Sequence, residues 1–312
     1  MPQDTQDLVQ LNPDSVKYIR KLYGFEDEKK LEEAIDILDA WIKKQNHFTK
    51  KDFPRKYLES TILANKGSIE RSKSKLDKLC TLRAILGFFF KFSNIRTDFS
   101  NFFKATTLIP LPKLTDKHYR VILLRNQNNE YFDKTPFTDY YKFMLIYCEY
   151  LLMHDYSDGM MFLIDYTDTN VMKVMNQLNI TEFKQFSTLI TEGYGTRIKG
   201  VHIITTSKTI EMLLNIVKPV FSQKIANRFS VHSSLDTLQE IIPKNVLPVE
   251  YGGTERSYKE IKDSWIELLS SKESMEYLKA SREATVNEAY RLKSDYNEHL
   301  GLAGTFRTLS ID

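Results

Sequence analysis

Few side chains in this sequence are spaced as catalytic or metal-binding groups are. The two cysteines, Cys80 and Cys148, are far apart in the chain, whereas a zinc site needs Cys and His at short spacing. The glycines form neither G-x-G-x-x-G nor G-x-x-x-x-G-K-S/T, and there is no G-x-S-x-G. The sequence therefore predicts neither a phosphate-binding loop nor a hydrolase nucleophile.

Two acid–base constellations are left, His154 next to Asp155 and Asp165 with Asp168. Asp165 ends a predicted buried strand, where the sites of α/β proteins often lie. Its more ordinary role is to cap the helix that follows, and we favour that interpretation. Since neither pair is positive evidence of catalysis, we expect a protein that is not an enzyme and binds no metal. His202 and His232 lie within predicted strands and are expected to be packed or hydrogen-bonded.

Four basic residues form two closely spaced pairs. Arg197 and Lys199 are two apart at the start of a predicted strand, so both point to one side. Lys224 and Arg228 are four apart on a predicted helix and share one face. Such pairs are usually plain solvated surface, but they also suit docking on anionic lipid.

An unusually apolar helix is predicted between these pairs, over residues 208–218. Its apolar face is wider than that of an ordinary surface helix, and Pro219 offers a hinge. A buried core helix is the ordinary interpretation, and a lid over an apolar cavity is the functional one. Periodicity alone favours the first. The face consists of Ile210, Leu213, Leu214, Val217 and Phe221.

The remaining elements divide the chain. Residues 1–91 are predicted to be helical, with a helix start at Asn12-Pro13-Asp14, helical spacing over 31–42 and helices at 50–63 and 68–83, and they carry all of the net positive charge of +3. After a predicted loop over 94–112, strands at 119–124, 160–166, 200–205 and 229–232 alternate with helices at 138–154, 181–192, 208–218 and 235–242. Such alternation favours a mostly parallel sheet. Residues 259–299 are predicted to be helical.

Composition narrows the class of protein. With 42% hydrophobic and 12% aromatic residues, the chain has enough apolar surface to build a core, so disorder is not expected. Two cysteines fit a reducing compartment. The first residues do not resemble a secretory signal, and no apolar run approaches the roughly 18 residues of a spanning helix. We expect a soluble cytoplasmic protein.

Several segments resemble the CRAL-TRIO lipid-binding family, especially the arthropod relatives of alpha-tocopherol transfer protein and cellular retinaldehyde-binding protein. The most specific is Val246-Leu-Pro-Val-Glu-Tyr-Gly-Gly253. Supporting segments are Gly200-Val-His-Ile-Ile, Ile216-Val-Lys-Pro-Val-Phe-Ser-Gln-Lys-Ile-Ala-Asn-Arg228, residues 66–77 and the tail at 304–312.

The resemblance implies an α/β fold with a helical N-terminal domain at 1–92. A CRAL-TRIO domain at 93–258 and a C-terminal helical region with an extended tail at 259–312 would follow. A mostly parallel sheet would floor an apolar pocket that a gate helix at 207–221 closes. Implied pocket residues are Phe143, Ile146, Tyr147, Tyr150, Phe162, Ile164, Ile190, Tyr194, Ile198, Ile210, Leu213 and Val217. Implied phosphoinositide-binding residues are Arg197, Lys199, Lys224 and Arg228.

The implied function is to bind and transfer a tocopherol, retinoid, carotenoid or other isoprenoid. The ligand would be cargo rather than cofactor, and release would occur at phosphoinositide-containing membranes that the protein meets peripherally. Exchange of whole phosphatidylinositol is not expected, because Thr196 and Asp236 replace the Glu and Lys of relatives that perform it. The alternative is a lipid-gated interaction protein without bulk transfer. No nucleic-acid partner is expected, no protein partner is indicated, and the ligand's identity is left open.

Overall fold

The computed structural model describes residues 7–127 and 129–291. The predicted tail at 304–312 and the predicted helical residues 292–299 lie outside the described residues. In the described part of the chain, no helix is both long and apolar enough to cross a membrane.

The first third of the chain is helical, as the sequence predicts. The helices are α1 (Ser15–Leu22), α2 (Glu28–Lys44), α3 (Arg55–Ala64) and α4 (Ile69–Ile85), followed by a 3-10 turn at Gly87–Phe90. Ser68 caps α4 by accepting a hydrogen bond from the backbone N–H of Arg71 at 3.3 Å. Helix α3 begins five residues later than predicted, because Pro54 holds an extended backbone at its N-cap.

The predicted loop at 94–112 was wrong, since it contains regular structure. Two short helices, α5 (Ile95–Asp98) and α6 (Ser100–Ala105), lead into strand β1 (Thr106–Leu114). Strand β1 pairs antiparallel with β2 (Arg120–Asn126) and lies at the edge of the sheet. An edge position tolerates Pro110 and Pro112, which have no N–H to donate.

The sheet is mostly parallel, which confirms the predicted fold class. Its order is β1-β2-β3-β4-β5, and β2 to β5 run parallel, with β3 (Met160–Asp165), β4 (Ile198–Ile204) and β5 (Phe229–His232). The connections contain α7 (Asn129–Phe132), α8 (Phe137–His154), α9 (Val171–Gln177), α10 (Ile180–Thr188) with a π turn at Leu189–Gly193, α11 (Ile210–Val217) with a 3-10 turn at Lys218–Val220, and α12 (Gln223–Ala226).

The chain then returns to its own N-terminal helices. Helix α13 (Asp236–Gln239) and a 3-10 turn at Val249–Tyr251 precede α14 (Tyr258–Leu269) and α15 (Lys272–Arg282), and a 3-10 turn follows at Glu288–Tyr290. The indole N–H of Trp265 on α14 donates to the carbonyl of Pro110 at 2.9 Å. Beyond α15, Arg291 binds both carboxylate oxygens of Asp77 on α4, at 2.6 and 2.9 Å. The C-terminal region is therefore fastened to both the sheet edge and the N-terminal helices.

Candidate ligand cavity and basic surface

An apolar cavity of about 190 Å³ lies between the sheet and helices α8 to α11. Its floor is formed by the strands and its roof by α11, while α8, α9 and α10 form the side wall. The lining residues are Leu108, Leu124, Phe137, Tyr140, Tyr141, Met144, Phe162, Ile164, Tyr166, Val174, Leu178, Phe183, Phe186, Ser187, Ile190, Ile198, Val201, Ile203, Leu213, Leu214, Val217, Phe221 and Phe229. None of these side chains is charged, so the cavity suits an uncharged hydrophobic molecule.

The floor follows from the period of two in the strands. Phe162 and Ile164 on β3 point into the cavity. On β4, Ile198 and Val201 are three apart and yet both line the cavity. The pairing of β3 with β4 shifts register between Met160 and Met161, so that β4 has one extra residue at this point. The extra residue brings Ile198 and Val201 onto the same face of the sheet.

Half of the predicted pocket residues lie in the cavity wall. They come from the floor, the π turn and the roof, and they are Phe162, Ile164, Ile190, Ile198, Leu213 and Val217. Their role in binding a ligand stays a prediction.

The four predicted residues of α8 do not line the cavity. Phe143, Ile146, Tyr147 and Tyr150 point elsewhere, because α8 is buried on more than one face. Phe143 packs on Phe99 with ring centroids 5.2 Å apart. Tyr147 and Tyr150 lie edge-on to Trp265 at 5.1 and 5.6 Å. The cavity face of the helix carries Phe137, Tyr140, Tyr141 and Met144 instead.

Tyr194 and Ile210 are also placed outside the wall. The hydroxyl of Tyr194 donates to Glu149 at 2.9 Å, and Glu149 forms a fully buried ion pair with Arg83 at 2.5 Å. Burial raises the pKa of the Tyr194 hydroxyl, which stays a neutral donor. Ile210 is buried at the start of α11 but does not reach the cavity.

Sequence reasoning missed a cluster of aromatic residues in the side wall. Phe183 and Phe186 on α10 lie beside Tyr141, and Phe183 meets Phe221 edge-on at 5.7 Å. The available signal was the spacing of the two phenylalanines on a predicted helix. Helix α9, with Val174 in the wall, was not predicted at all.

The roof helix α11 has an apolar surface on both sides. Leu213, Leu214 and Val217 face the cavity. Met212 and Ile216 face outwards, with 53% and 39% of their surface exposed. Pro219 lies in the 3-10 turn that follows, where the helical hydrogen-bond ladder ends.

The first predicted basic pair lies at the amino end of β4. The guanidinium of Arg197 donates to the carbonyls of Leu63 and Ala64, at 3.0 and 2.9 Å, and so binds the carboxyl end of α3. Arg197 also donates to the backbone carbonyl of Asp158 at 3.2 Å and lies 3.4 Å from the carboxylate of the same residue. Lys199 binds the same carboxylate at 2.5 Å, so both residues do point to one side.

The second basic pair is divided. Arg228 donates to the carbonyl of Ile198, which ties it to the amino end of β4. Lys224 is exposed on α12. Three of the four predicted phosphoinositide ligands are therefore engaged in contacts within the protein itself.

The acid–base candidates are all held in structural contacts. Asp165 pairs with Arg125 and accepts the N–H of Thr167 at 2.9 Å. The prediction that Asp165 caps the following helix was wrong, because Asn170 caps α9. His154 stacks on Tyr150 at 4.2 Å, and burial lowers its pKa to about 4.

The two strand histidines bind each other. Nδ1 of His202 and Nε2 of His232 lie 3.0 Å apart, and Nδ1 of His232 lies 2.9 Å from Oγ1 of Thr237. Burial, with a smaller contribution from His232, lowers the pKa of His202 to about 4. In the described residues, no three His, Cys, Asp or Glu side chains cluster as a metal site.

Comparison with known proteins shows what part of this chain is similar to them. Residues 106–253 match the CRAL/TRIO domain. The chain is 36% identical over 98 residues to the alpha-tocopherol transfer protein-like protein of Mus musculus, covering 31% of this chain and 28% of that protein. It is 27% identical over 142 residues to clavesin-1 of Rattus norvegicus, covering 45% of this chain and 40% of that protein.

These matches span less than half the length of either relative. Among solved structures, the crystal structure of Sfh5 superposes with a TM-score of 0.48 at 12% identity, covering 86% of this chain and 97% of that chain. The match over residues 106–253 covers the sheet, the cavity and the roof helix. Residues 106–253 are therefore similar to a CRAL/TRIO domain, in agreement with the resemblance of the sequence motifs.

Proposed function

We propose that this protein binds one small hydrophobic molecule in the cavity beneath α11 and transfers it between membranes. The cavity carries the proposal, because its walls are apolar and uncharged and a proline-flanked helix closes it. Burial of about 400 Å² of apolar ligand surface contributes roughly 10 kcal/mol before the costs of ordering are subtracted. No bond is made or broken, and the bound molecule is cargo rather than a cofactor.

The proposed ligand class is a tocopherol, retinoid, carotenoid or other isoprenoid. The name of the tocopherol transfer protein-like relative supports this class over the matched 98 residues. The aromatic wall supports it too, since Phe183, Phe186 and Phe221 offer flat faces to rings and conjugated chains.

Release is proposed to occur where the roof helix meets an anionic membrane. The exposed side chains of Met212 and Ile216 would enter the lipid surface, while Lys224 meets phosphate headgroups. Arg197, Lys199 and Arg228 would join it as phosphoinositide ligands. A headgroup phosphate must compete with Asp158 for Arg197 and Lys199. Phosphate binding would therefore loosen the contacts that Arg197 makes within the protein. Membrane contact would in this way favour the open gate.

The experiment has two arms. Protein purified from its own tissue is extracted with organic solvent, and mass spectrometry of the extract should find an isoprenoid in stoichiometric amount. Loaded protein is then mixed with vesicles of neutral phosphatidylcholine, with or without phosphoinositide, and transfer should be faster with phosphoinositide. Equal rates would overturn the release mechanism. A ligand that is retained under both conditions would favour the alternative, a lipid-gated interaction protein.

A further inference from the structure

Two hydroxyl groups in the cavity wall have no hydrogen-bond partner within the described part of the chain. They are Oη of Tyr141 on α8 and Oγ of Ser187 on α10, and both atoms are buried. Buried hydroxyls are nearly always hydrogen-bonded, because burial removes their bonds to water and nothing else compensates for that loss. Two exceptions in one apolar cavity call for a physical reason.

Packing alone does not explain the hydroxyl of Tyr141. Its ring stacks on Phe186, with centroids 4.6 Å apart, and meets Phe137 edge-on at 5.6 Å. A phenylalanine ring would make the same contacts. The preceding residue behaves differently, since the hydroxyl of Tyr140 donates to Oδ1 of Asn126 at 3.0 Å.

Helix geometry does not explain the hydroxyl of Ser187 either. A serine or threonine in a helix often donates to the carbonyl four residues earlier. Thr188 and Thr191 do so, to Lys184 at 3.0 Å and to Ser187 at 2.8 Å. The hydroxyl of Ser187 makes no such bond although it lies on the same stretch of helix.

The rest of the cavity limits what could satisfy these groups. The lining side chains of strands β1 to β5 and of α11 are all hydrocarbon and cannot form hydrogen bonds. No charged side chain lines the cavity. An ionised carboxylate or phosphate inside would therefore have no counter-charge. A pure hydrocarbon would leave both hydroxyls without a partner.

We propose that the ligand carries a neutral oxygen group, a hydroxyl or a carbonyl, which meets the wall between α8 and α10. Tyr141 and Ser187 are its hydrogen-bonding partners and select it over a hydrocarbon of the same shape. Each hydroxyl supplies one donor, and an alcohol or carbonyl oxygen accepts up to two hydrogen bonds. This inference rests on the proposed function, because it assigns the chemistry of the same cavity.

The test uses three probes that share one C20 isoprenoid skeleton: phytol, phytane and, above its pKa, phytanic acid. The full-length protein should bind phytol about tenfold more tightly than phytane, as expected for hydrogen bonds made in a dry site. Ionised phytanic acid should bind most weakly. Tyr141→Phe and Ser187→Ala should each lower the ratio of phytol affinity to phytane affinity about threefold. The matched control is Tyr194→Phe, which removes a tyrosine hydroxyl outside the cavity wall and should leave the ratio unchanged.

Thermal melting of the ligand-free variants supplies a second measurement. Tyr141→Phe and Ser187→Ala should melt no lower than the wild type, because each removes an unpaired group. Tyr140→Phe should melt lower, because it breaks the bond to Asn126.

The outcomes separate the two proposals. Equal binding of phytol and phytane by the wild type would overturn this inference, since water would then satisfy the hydroxyls, but a hydrophobic carrier would still stand. Failure of all three probes to bind to any of the proteins would overturn the carrier function itself. Melting of Tyr141→Phe as low as that of Tyr140→Phe would show that the Tyr141 hydroxyl has an internal partner, and the inference would fall.

Discussion

The hydroxyl of Tyr251 donates a 2.8 Å hydrogen bond to Oδ2 of Asp165. Asp165 is the last residue of β3, and Tyr251 belongs to the Leu247-Pro-Val-Glu-Tyr-Gly-Gly253 segment. The same carboxylate pairs with Arg125 at the end of β2. The bond therefore fastens the segment to the carboxyl edge of the sheet, which gives this buried acid a structural role.

The two glycines of that segment have separate steric roles. Gly252 has a φ of +70°, a left-handed conformation that favours glycine. At Gly253 a Cβ atom would lie 1.8 Å from the carbonyl oxygen of Leu247, which is backbone and cannot move aside cheaply. The motif is thus a tight turn in which the backbone at Gly253 packs directly against the backbone at Leu247.

Gly253→Ala is therefore expected to destabilise the protein by about 3 kcal/mol or more, because the added methyl group overpacks the turn. Urea unfolding followed by circular dichroism measures the change. Gly87→Ala is the matched control, since no atom lies within 4 Å of its Cβ position and its φ is not left-handed. Equal stability of the two variants would contradict the steric account.

Much of the fold could be predicted because its signals are local. The strands that became β3, β4 and β5 are apolar runs between turn residues, and each was found to within two residues. Strand β1 was missed, because Pro110 and Pro112 are local signals against a strand. Only the position of β1 at the sheet edge makes them acceptable, and the sheet order is not a local property.

The site was harder to predict than the fold. Helix α8 is apolar on the face that lines the cavity and on the face that packs against Trp265, so periodicity could not choose between Tyr141 and Tyr147. Spacing correctly placed Arg197 and Lys199 on one side of β4. It could not reveal Asp158, which reaches them from the start of another strand.

Arg197 is expected to support both stability and membrane contact. Arg197→Ala removes its bonds to the carbonyls of Leu63 and Ala64 and leaves Asp158 with one cation fewer. We expect a loss of about 1–3 kcal/mol in the free energy of unfolding. The exposed Lys224 is the matched control, and Lys224→Ala should change stability by less than about 0.5 kcal/mol.

Both variants should bind phosphoinositide vesicles more weakly in a flotation assay, because each loses a cation. The clean test of membrane docking is therefore Lys224→Glu, which should preserve the fold because Lys224 is exposed. Unchanged flotation of that variant would argue against an anionic docking surface on α12.

The outer face of α11 is expected to act in transfer rather than in ligand binding. Met212→Glu and Ile216→Glu place charges on exposed positions, so folding and ligand affinity should be preserved. Transfer to vesicles should slow by about tenfold, because a charged side chain resists entry into the lipid interface. Ile37→Glu, at another exposed apolar position on α2, is the control and should transfer at the wild-type rate. Slowing of all three variants alike would indicate a non-specific effect of charge.

Lys56 carries a stability cost that depends on pH. Its Nζ is buried without a hydrogen-bond partner among the described residues and lies 3.2 Å from the centre of the Tyr156 ring. Burial lowers its pKa from 10.5 to about 8. The Lys56 amine holds its proton more tightly in the unfolded chain than in the folded protein. Burial of the ammonium therefore lowers the free energy of unfolding by its full amount below pH 8, and this cost fades as the pH rises towards 10.5.

Lys56→Met should therefore be more stable than the wild type at pH 7, by about 2 kcal/mol once the lost contact with the Tyr156 ring is allowed for. The advantage should shrink between pH 8 and 10.5, because the wild-type amine then becomes neutral in both states. Urea unfolding at pH 7 and pH 10 measures both values. Lys17→Met, at an exposed position of α1, should show no such difference. Equal stability of Lys56→Met and the wild type at pH 7 would mean that the buried ammonium is compensated, most directly by Glu59, whose charge favours the protonated form.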